Sequence, residues 1–275
     1  MSDTPTLSTP ESADAAPAPE VSEAPAVEQI HEPVETDLSP KAMRRLVTVA
    51  LAAVLGILAL GTYFTHRSTH RTDRRIVCFG DSLTSCGGWG GRFSDYLALD
   101  LPDCEVINKG IGGDTVGGGR WRLRQDVLSL KPRVAVIALG ANDFIQASRP
   151  LELVREDLEF ILARCRDSKI QVVFASVFGP HLNVAGQEVP KVHPPNTLAR
   201  ATPELGFSMR KMEQELCAKY DALYLPNMQY DLNRPEHWTD ANHPSAAGNK
   251  LVAARLLPLV QEALEKSLKE RPAEE

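Results

Sequence analysis

Residues 75–270 predict an α/β domain: a three-layer α/β/α sandwich around a five-stranded parallel sheet. Two observations carry this. Five short runs rich in Val and Ile, most of them closed by Gly, Asn or Pro, read as buried strands at 75–79, 104–108, 133–139, 171–176 and 222–225. Stretches of helical period lie between them. Strands that alternate with helices pair in parallel, and the crossovers cover both faces of the sheet. Five such strands in one unit suggest a flavodoxin-like, doubly wound arrangement, in which ligands bind beyond the carboxyl ends of the strands.

The elements follow in chain order. Residues 1–40 hold nine Asp or Glu and no Lys or Arg, and they are rich in Pro, Ala, Ser and Thr. Such a stretch cannot bury enough apolar surface to offset its chain entropy, so it reads as a disordered acidic tail. Residues 41–66 read as a transmembrane anchor. Their centre, "LVTVALAAVLGILALGTYF" at 46–64, carries no charge. At ~1.5 Å per residue it spans roughly 28 Å, close to a bilayer core. Lys41, Arg44 and Arg45 flank it on one side, and Arg67, Arg71, Arg74 and Arg75 on the other. No Ala-x-Ala site follows, so the reading is an uncleaved single-pass anchor. Three basic residues against four set no orientation, and the expectation is that residues 75–270 lie on the extracytoplasmic side. Met43-Arg44-Arg45 keeps an internal start as the alternative. Residues 67–74 read as a linker.

Within 75–270, helices are expected over 89–100, 117–130, 151–168, 203–219 and 244–268. Leu151, Val154, Leu158, Ile161, Leu162 and Cys165 recur at helical spacing. Thr202-Pro203 reads as an N-cap followed by Pro at the first helical position, and a similar start is expected at Pro244. Cys78, Cys165 and Cys217 read as small core residues, whereas Cys86 and Cys104 lie in less regular stretches where a disulfide is one option. The net charge of -6 and the lack of a basic stripe exclude a nucleic-acid partner. No metal-ligand spacing and no fixed-period repeat is present.

Polar residues gather at the strand ends. Gly80-Asp81-Ser82-Leu83-Thr84 follows the first strand, Gly110-Ile111-Gly112-Gly113-Asp114-Thr115 the second, and Gly140-Ala141-Asn142-Asp143 the third. A loop after the last holds Asp240, His243 and Pro244. Acyl transfer needs such a set. A Ser hydroxyl is a weak nucleophile without a base. His supplies one near neutral pH, and a carboxylate fixes its tautomer. The tetrahedral oxyanion needs preorganised N–H donors, each contributing roughly 3–4 kcal/mol.

The four blocks "GDSLT", "GIGGDT", "GAND" and "DANHP" resemble those of the SGNH hydrolases, also called the GDSL esterase/lipase family, in order and in spacing over about 75–265. Ala141 stands where that family often has Gly or Thr. The resemblance implies Ser82 as nucleophile, Asp240 and His243 as its partners, and Ser82, Gly113 and Asn142 as the oxyanion hole. It implies no cofactor. Its substrates would be lipid esters, thioesters or acetylated sugars. The expected function is therefore a membrane-anchored serine esterase, with a cell-envelope O-acyltransferase using the same residues as the alternative. A non-enzymatic membrane adaptor is a third reading, and it has no need for the blocks to coexist.

Neighbouring residues have plainer readings. Asp81 reads as a structural hydrogen-bond acceptor, Asp114 and Thr115 as caps of the helix from 117, and Asp143 as structural. His181 and His193 read as exposed histidines of a Pro-rich loop, 177–200. Trp89, Arg92 and Phe93 read as a helix start packed near the site.

Overall fold

The computed structural model describes residues 39–179, 181–182, 188–189 and 202–272. Almost all of the acidic tail and His193 lie outside these, and only the backbone of His181 is described. The chain divides after Val54 into two units. Helix α1, Pro40–Asp73, runs through the division. Its Pro40–Thr65 portion contains an 18-residue window with a mean hydropathy of 2.2 and is long and apolar enough to cross a membrane. The stretch expected to be a linker instead continues this helix to Asp73.

The second unit proceeds as β1 Arg75–Gly80, α2 Ser82–Ser85, α3 Phe93–Asp100, β2 Glu105–Gly110, α4 Val116–Asp126 and β3 Val134–Ala138. It continues with α5 Ala141–Gln146, α6 Leu151–Asp167, β4 Gln171–Ala175 and the two-residue strands β5 His181–Leu182 and β6 Glu188–Val189. It ends with α7 Pro203–Lys219, β7 Leu223–Leu225 and α8 Ala246–Glu270. The main sheet has the order β2-β1-β3-β4-β7, with every pairing parallel. The strand order reverses at β1 and β3, where such sheets open a crevice.

The two-residue side-chain period of the strands divides the core. Val77, Phe79, Ala135, Ile137, Val172 and Phe174 point to one layer, where Leu123 of α4, Leu158 and Ile161 of α6 and Met209 and Leu216 of α7 meet them. Ile76, Cys78, Val134, Val136 and Val173 point to the other, against Phe93 and Leu97 of α3 and Val252, Leu256 and Val260 of α8. Burying each large side chain contributes about 1.5–3 kcal/mol. The five main strands and all five expected helices are present, and the sandwich is the predicted one.

The differences are local. Helix α3 begins at Phe93 rather than 89, and Trp89 is 96% exposed rather than packed. Helix α4 ends at Asp126 and a separate 3-10 turn covers Leu128–Leu130. Pro244 does not open α8. Ser245 caps that helix, its hydroxyl accepting the Gly248 N–H at 3.3 Å, while Pro244 bridges to Trp238. Cys86 and Cys104 form no disulfide. Cys104 packs in the core, and Cys86 lies beside the Asn249 amide.

Candidate active site

The first strand must end abruptly to present a side chain at the sheet edge. Gly80 permits this, because a Cβ there would collide with the Thr84 hydroxyl and the Ala138 carbonyl. Asp81 then donates its N–H to Ala138 at 3.1 Å, and its Oδ1 accepts the Leu83 N–H at 2.9 Å. That bond starts α2 and puts Ser82 in its first position.

The loop before α8 brings His243 to Ser82. Thr239 N–H donates to the His243 carbonyl at 2.9 Å, and Ser245 N–H to the His237 carbonyl at 2.8 Å. The Gln229 amide holds the Asn242 carbonyl at 3.1 Å. In this turn His243 Nε2 lies 2.9 Å from Ser82 Oγ. His243 Nδ1 lies 2.8 Å and 3.0 Å from the two Asp240 carboxylate oxygens. A proton on Nδ1 satisfies Asp240, which leaves Nε2 to accept the serine proton. Burial opposes the charge on Asp240, but the Asn242 N–H, the His243 ring and the His243 N–H outweigh it, so its carboxyl titrates below the usual carboxylate range.

The other strand ends complete the site. Gly113 has φ +76°, a left-handed backbone that only Gly adopts freely, and nothing stands where its Cβ would be. Among the described residues, neither the Gly113 N–H nor the Ser82 N–H has an acceptor, and both residues line the cleft. Gly140, at φ +110°, turns β3 into α5 and delivers Asn142. The Asn142 amide donates to the Asp114 carbonyl at 2.8 Å and, less closely, to Asp81 Oδ2 at 3.3 Å.

The neighbouring residues have structural partners. Asp143 accepts the Val116 N–H at 2.8 Å, and Thr115 caps α4 by accepting the Gly118 N–H at 3.1 Å. Asp81 is fully buried, and that burial pushes its carboxyl up to about 7 against the bond from Leu83, with Asp114 adding to the rise.

Three further residues went unread in the sequence. Arg122 of α4 donates to Asp114 Oδ2 at 2.6 Å, to the Gly80 and Lys109 carbonyls at 2.8 Å each, and to Asp126 at 3.0 Å. It thereby ties the ends of β1 and β2 to the loop that carries Gly113. Glu213 of α7 is buried, with Ser176 Oγ at 2.5 Å and Tyr224 at 3.2 Å. Burial pushes its carboxyl up to about 8, against the bonds from Ser176 and Tyr224. Arg210 lies on the cleft wall.

The cleft itself measures about 730 Å³. Its wall is largely apolar, with Phe144, Ile145, Val177, Phe178, Pro203 and Phe207 beside Ser82 and His243. A hydroxyl, an imidazole with its carboxylate, and two open backbone N–H groups meet at its floor. Such a set can attack a carbonyl and hold the charge that develops.

The model of the GDSL-like lipase/acylhydrolase family matches residues 78–251. The chain belongs to that family. Among its curated relatives, an arylesterase of Vibrio mimicus is 29% identical over 134 residues, 46% of this chain and 66% of the relative. The esterase TesA of Pseudomonas aeruginosa is 29% identical over 128 residues, 44% of this chain and 61% of the relative. The matched stretch thus spans under two thirds of the length of these relatives. A crystal structure of TesA shares the fold, with a TM-score of 0.57 at 20% identity over 69% of this chain and 99% of the other.

Proposed function

We propose that the chain is a serine esterase that hydrolyses carboxylic or thio esters through an acyl-enzyme on Ser82. One observation carries the reading: His243 Nε2 stands 2.9 Å from Ser82 Oγ while its other nitrogen is held by Asp240. In the first half-reaction Ser82 Oγ attacks the ester carbonyl carbon and its proton passes to His243 Nε2. The oxyanion is held by the N–H groups of Ser82 and Gly113 and by the Asn142 amide. The 3.3 Å contact from Asn142 to Asp81 is the one an oxyanion would replace. Collapse expels the alcohol or thiol, which takes the proton from His243. In the second half-reaction His243 takes a proton from water, the hydroxide attacks the acyl carbon, and Ser82 leaves with that proton.

The names of the relatives, an arylesterase and an esterase, support ester chemistry for this site. The apolar cleft wall suits an acyl chain better than a bare acetyl group. The 46–64 stretch, uncharged and within α1, supports a membrane tether for the esterase. On this reading the catalytic domain works on the extracytoplasmic side.

Ser82→Ala is expected to lower hydrolysis of a water-soluble para-nitrophenyl ester at least about a thousandfold. The melting temperature should stay near that of the wild type, because one partly buried hydroxyl is lost and no core is opened. A folded Ser82→Ala protein that keeps most of the activity would remove Ser82 from the mechanism.

A further inference from the structure

The cleft has one wall made by a single helix face. Pro203, Gly206, Phe207 and Arg210 of α7 fall at i, i+3, i+4 and i+7, and all four line the cleft. The first three leave that face apolar, and a Cβ added at Gly206 would meet the Phe144 ring. The fourth puts a guanidinium on it. Arg210 rests against the Phe207 ring, 5.5 Å from its centroid.

Nothing described neutralises this charge. The cleft lining contains Arg210 but no Asp or Glu. Glu213, one turn further along α7, is buried and engaged with Ser176 and Tyr224, so it does not serve Arg210. Other arginines of the domain are spent differently. Arg122 pairs with Asp114 and Asp126, while Arg120 and Arg149 both pair with Asp157. Among the described residues Arg210 has no ion pair and no hydrogen bond.

A guanidinium in a cleft with low-polarity walls attracts anions more strongly than one in open water, and its planar fork fits a carboxylate or a phosphate. We infer that Arg210 forms an anion subsite in this cleft, and that the ester the cleft takes carries a carboxylate or phosphate group at one end of an apolar body. The inference rests on Ser82 being the site of ester cleavage only for its substrate claim; the anion subsite stands on Arg210 and the wall. The substrate class is then an anionic amphipathic ester, with the charge on either the acyl or the alcohol part.

Two matched ester pairs distinguish those parts. The para-nitrophenyl monoester of glutaric acid against para-nitrophenyl butyrate tests a charge on the acyl group. The butyryl ester of para-hydroxybenzoate against that of para-hydroxybenzamide tests a charge on the alcohol. In the wild type one anionic ester should exceed its neutral partner in kcat/KM. In Arg210→Gln that preference should fall about tenfold, with the neutral esters within about twofold of wild type. Arg210→Glu should invert it, and added salt should shrink it in the wild type. The neutral esters report folding and the intact Ser82 chemistry in the same assay. A calorimetric titration with octanoate and with octanol reads the subsite without hydrolysis, and octanoate should bind more tightly only when Arg210 is present. Equal octanoate affinity in wild type and Arg210→Gln, or an anion preference unchanged by both variants, overturns the subsite. Octanoate binding that depends on Arg210, together with no hydrolysis of any ester, would keep the subsite and reject the Ser82 reading.

Discussion

Asp240 Oδ1 accepts the backbone N–H of Asn242 at 2.8 Å, the backbone N–H of His243 at 2.9 Å and the His243 ring at 3.0 Å. The same carboxylate therefore shapes the turn and orients the imidazole. Yet the Asp240 side chain is 54% exposed, so water screens its charge and can replace part of its support for an imidazolium. In the proposed mechanism His243 has no such substitute, because it moves the proton. Asp240→Ala is accordingly expected to lose activity but to remain roughly ten to a hundred times more active than His243→Ala. The double variant should match His243→Ala, since residues acting as a unit do not add. The measurement is kcat/KM on one soluble ester, with circular dichroism as the folding control. A His243→Ala protein near wild-type activity would reassign the base. The candidates Ser82, Asn142 and Asp240/His243 could be picked out of the sequence because each follows a strand or sits in a short turn, where local chemistry shows, and the fold brings Ser82 and His243 to 2.9 Å. The contact of Asn142 with Asp81, 61 residues away, leaves no local trace.

At the scale of elements, the packing of α7 on the sheet turns on Glu213. Its carboxyl joins α7 to Ser176, just past β4, and to Tyr224 of β7. Ser176 Oγ also accepts the Phe178 N–H at 2.9 Å, and Phe178 is part of the cleft wall. Burial raises the Glu213 carboxyl from 4.5 to about 8 in the fold, so the folded state holds a proton that the unfolded chain releases. Its contribution is fully present below pH 4.5 and is lost as the pH rises through about 8. Gln at 213 imitates the neutral acid and does not titrate. Measured by denaturant titration, the stability of the wild type relative to Glu213→Gln should decline from pH 5 to 8.5. A difference that stays flat across this range would mean that Glu213 is already ionised in the fold. Hydrophobic period predicted α7 within its exact bounds and put residue 213 in a helix, but period alone does not assign a carboxyl to the core. Arg122 was hidden for the same reason. Its partner Gly80 lies 42 residues away in the chain, and only the closure of β2 on β1 brings that carbonyl to the guanidinium that also holds Asp114. The short helices α2 and α5 also escaped notice, since four and six residues are too few to show a period.

At the scale of the whole molecule, the junction between α1 and the sheet decides where the chain can be cut. Arg133, just before β3, donates to the Asp73 carbonyl at 2.9 Å and to its carboxylate at 2.6 Å. The same guanidinium reaches the carbonyls of Ser267 and Arg271, while Arg271 donates to the Pro132 carbonyl at 3.0 Å. This cluster closes the amino-terminal edge of the sheet, and the cleft residues stand at the carboxyl-terminal edge. Asp73 is therefore part of the folded domain although it ends the helix that holds the apolar stretch. A chain beginning at Arg71 keeps Asp73 and every residue of the cleft. It is expected to be soluble, and its kcat/KM on a water-soluble ester should lie within about twofold of the full chain, because the groups proposed to act on the ester all lie beyond it. The full chain should sediment with lipid vesicles and the shortened one should not. A chain beginning at Arg75 should keep the same kcat/KM but melt at a lower temperature, because it leaves the largely buried Arg133 without its carboxylate. Loss of soluble-ester activity in a folded chain that begins at Arg71 would show that α1 belongs to the catalytic unit.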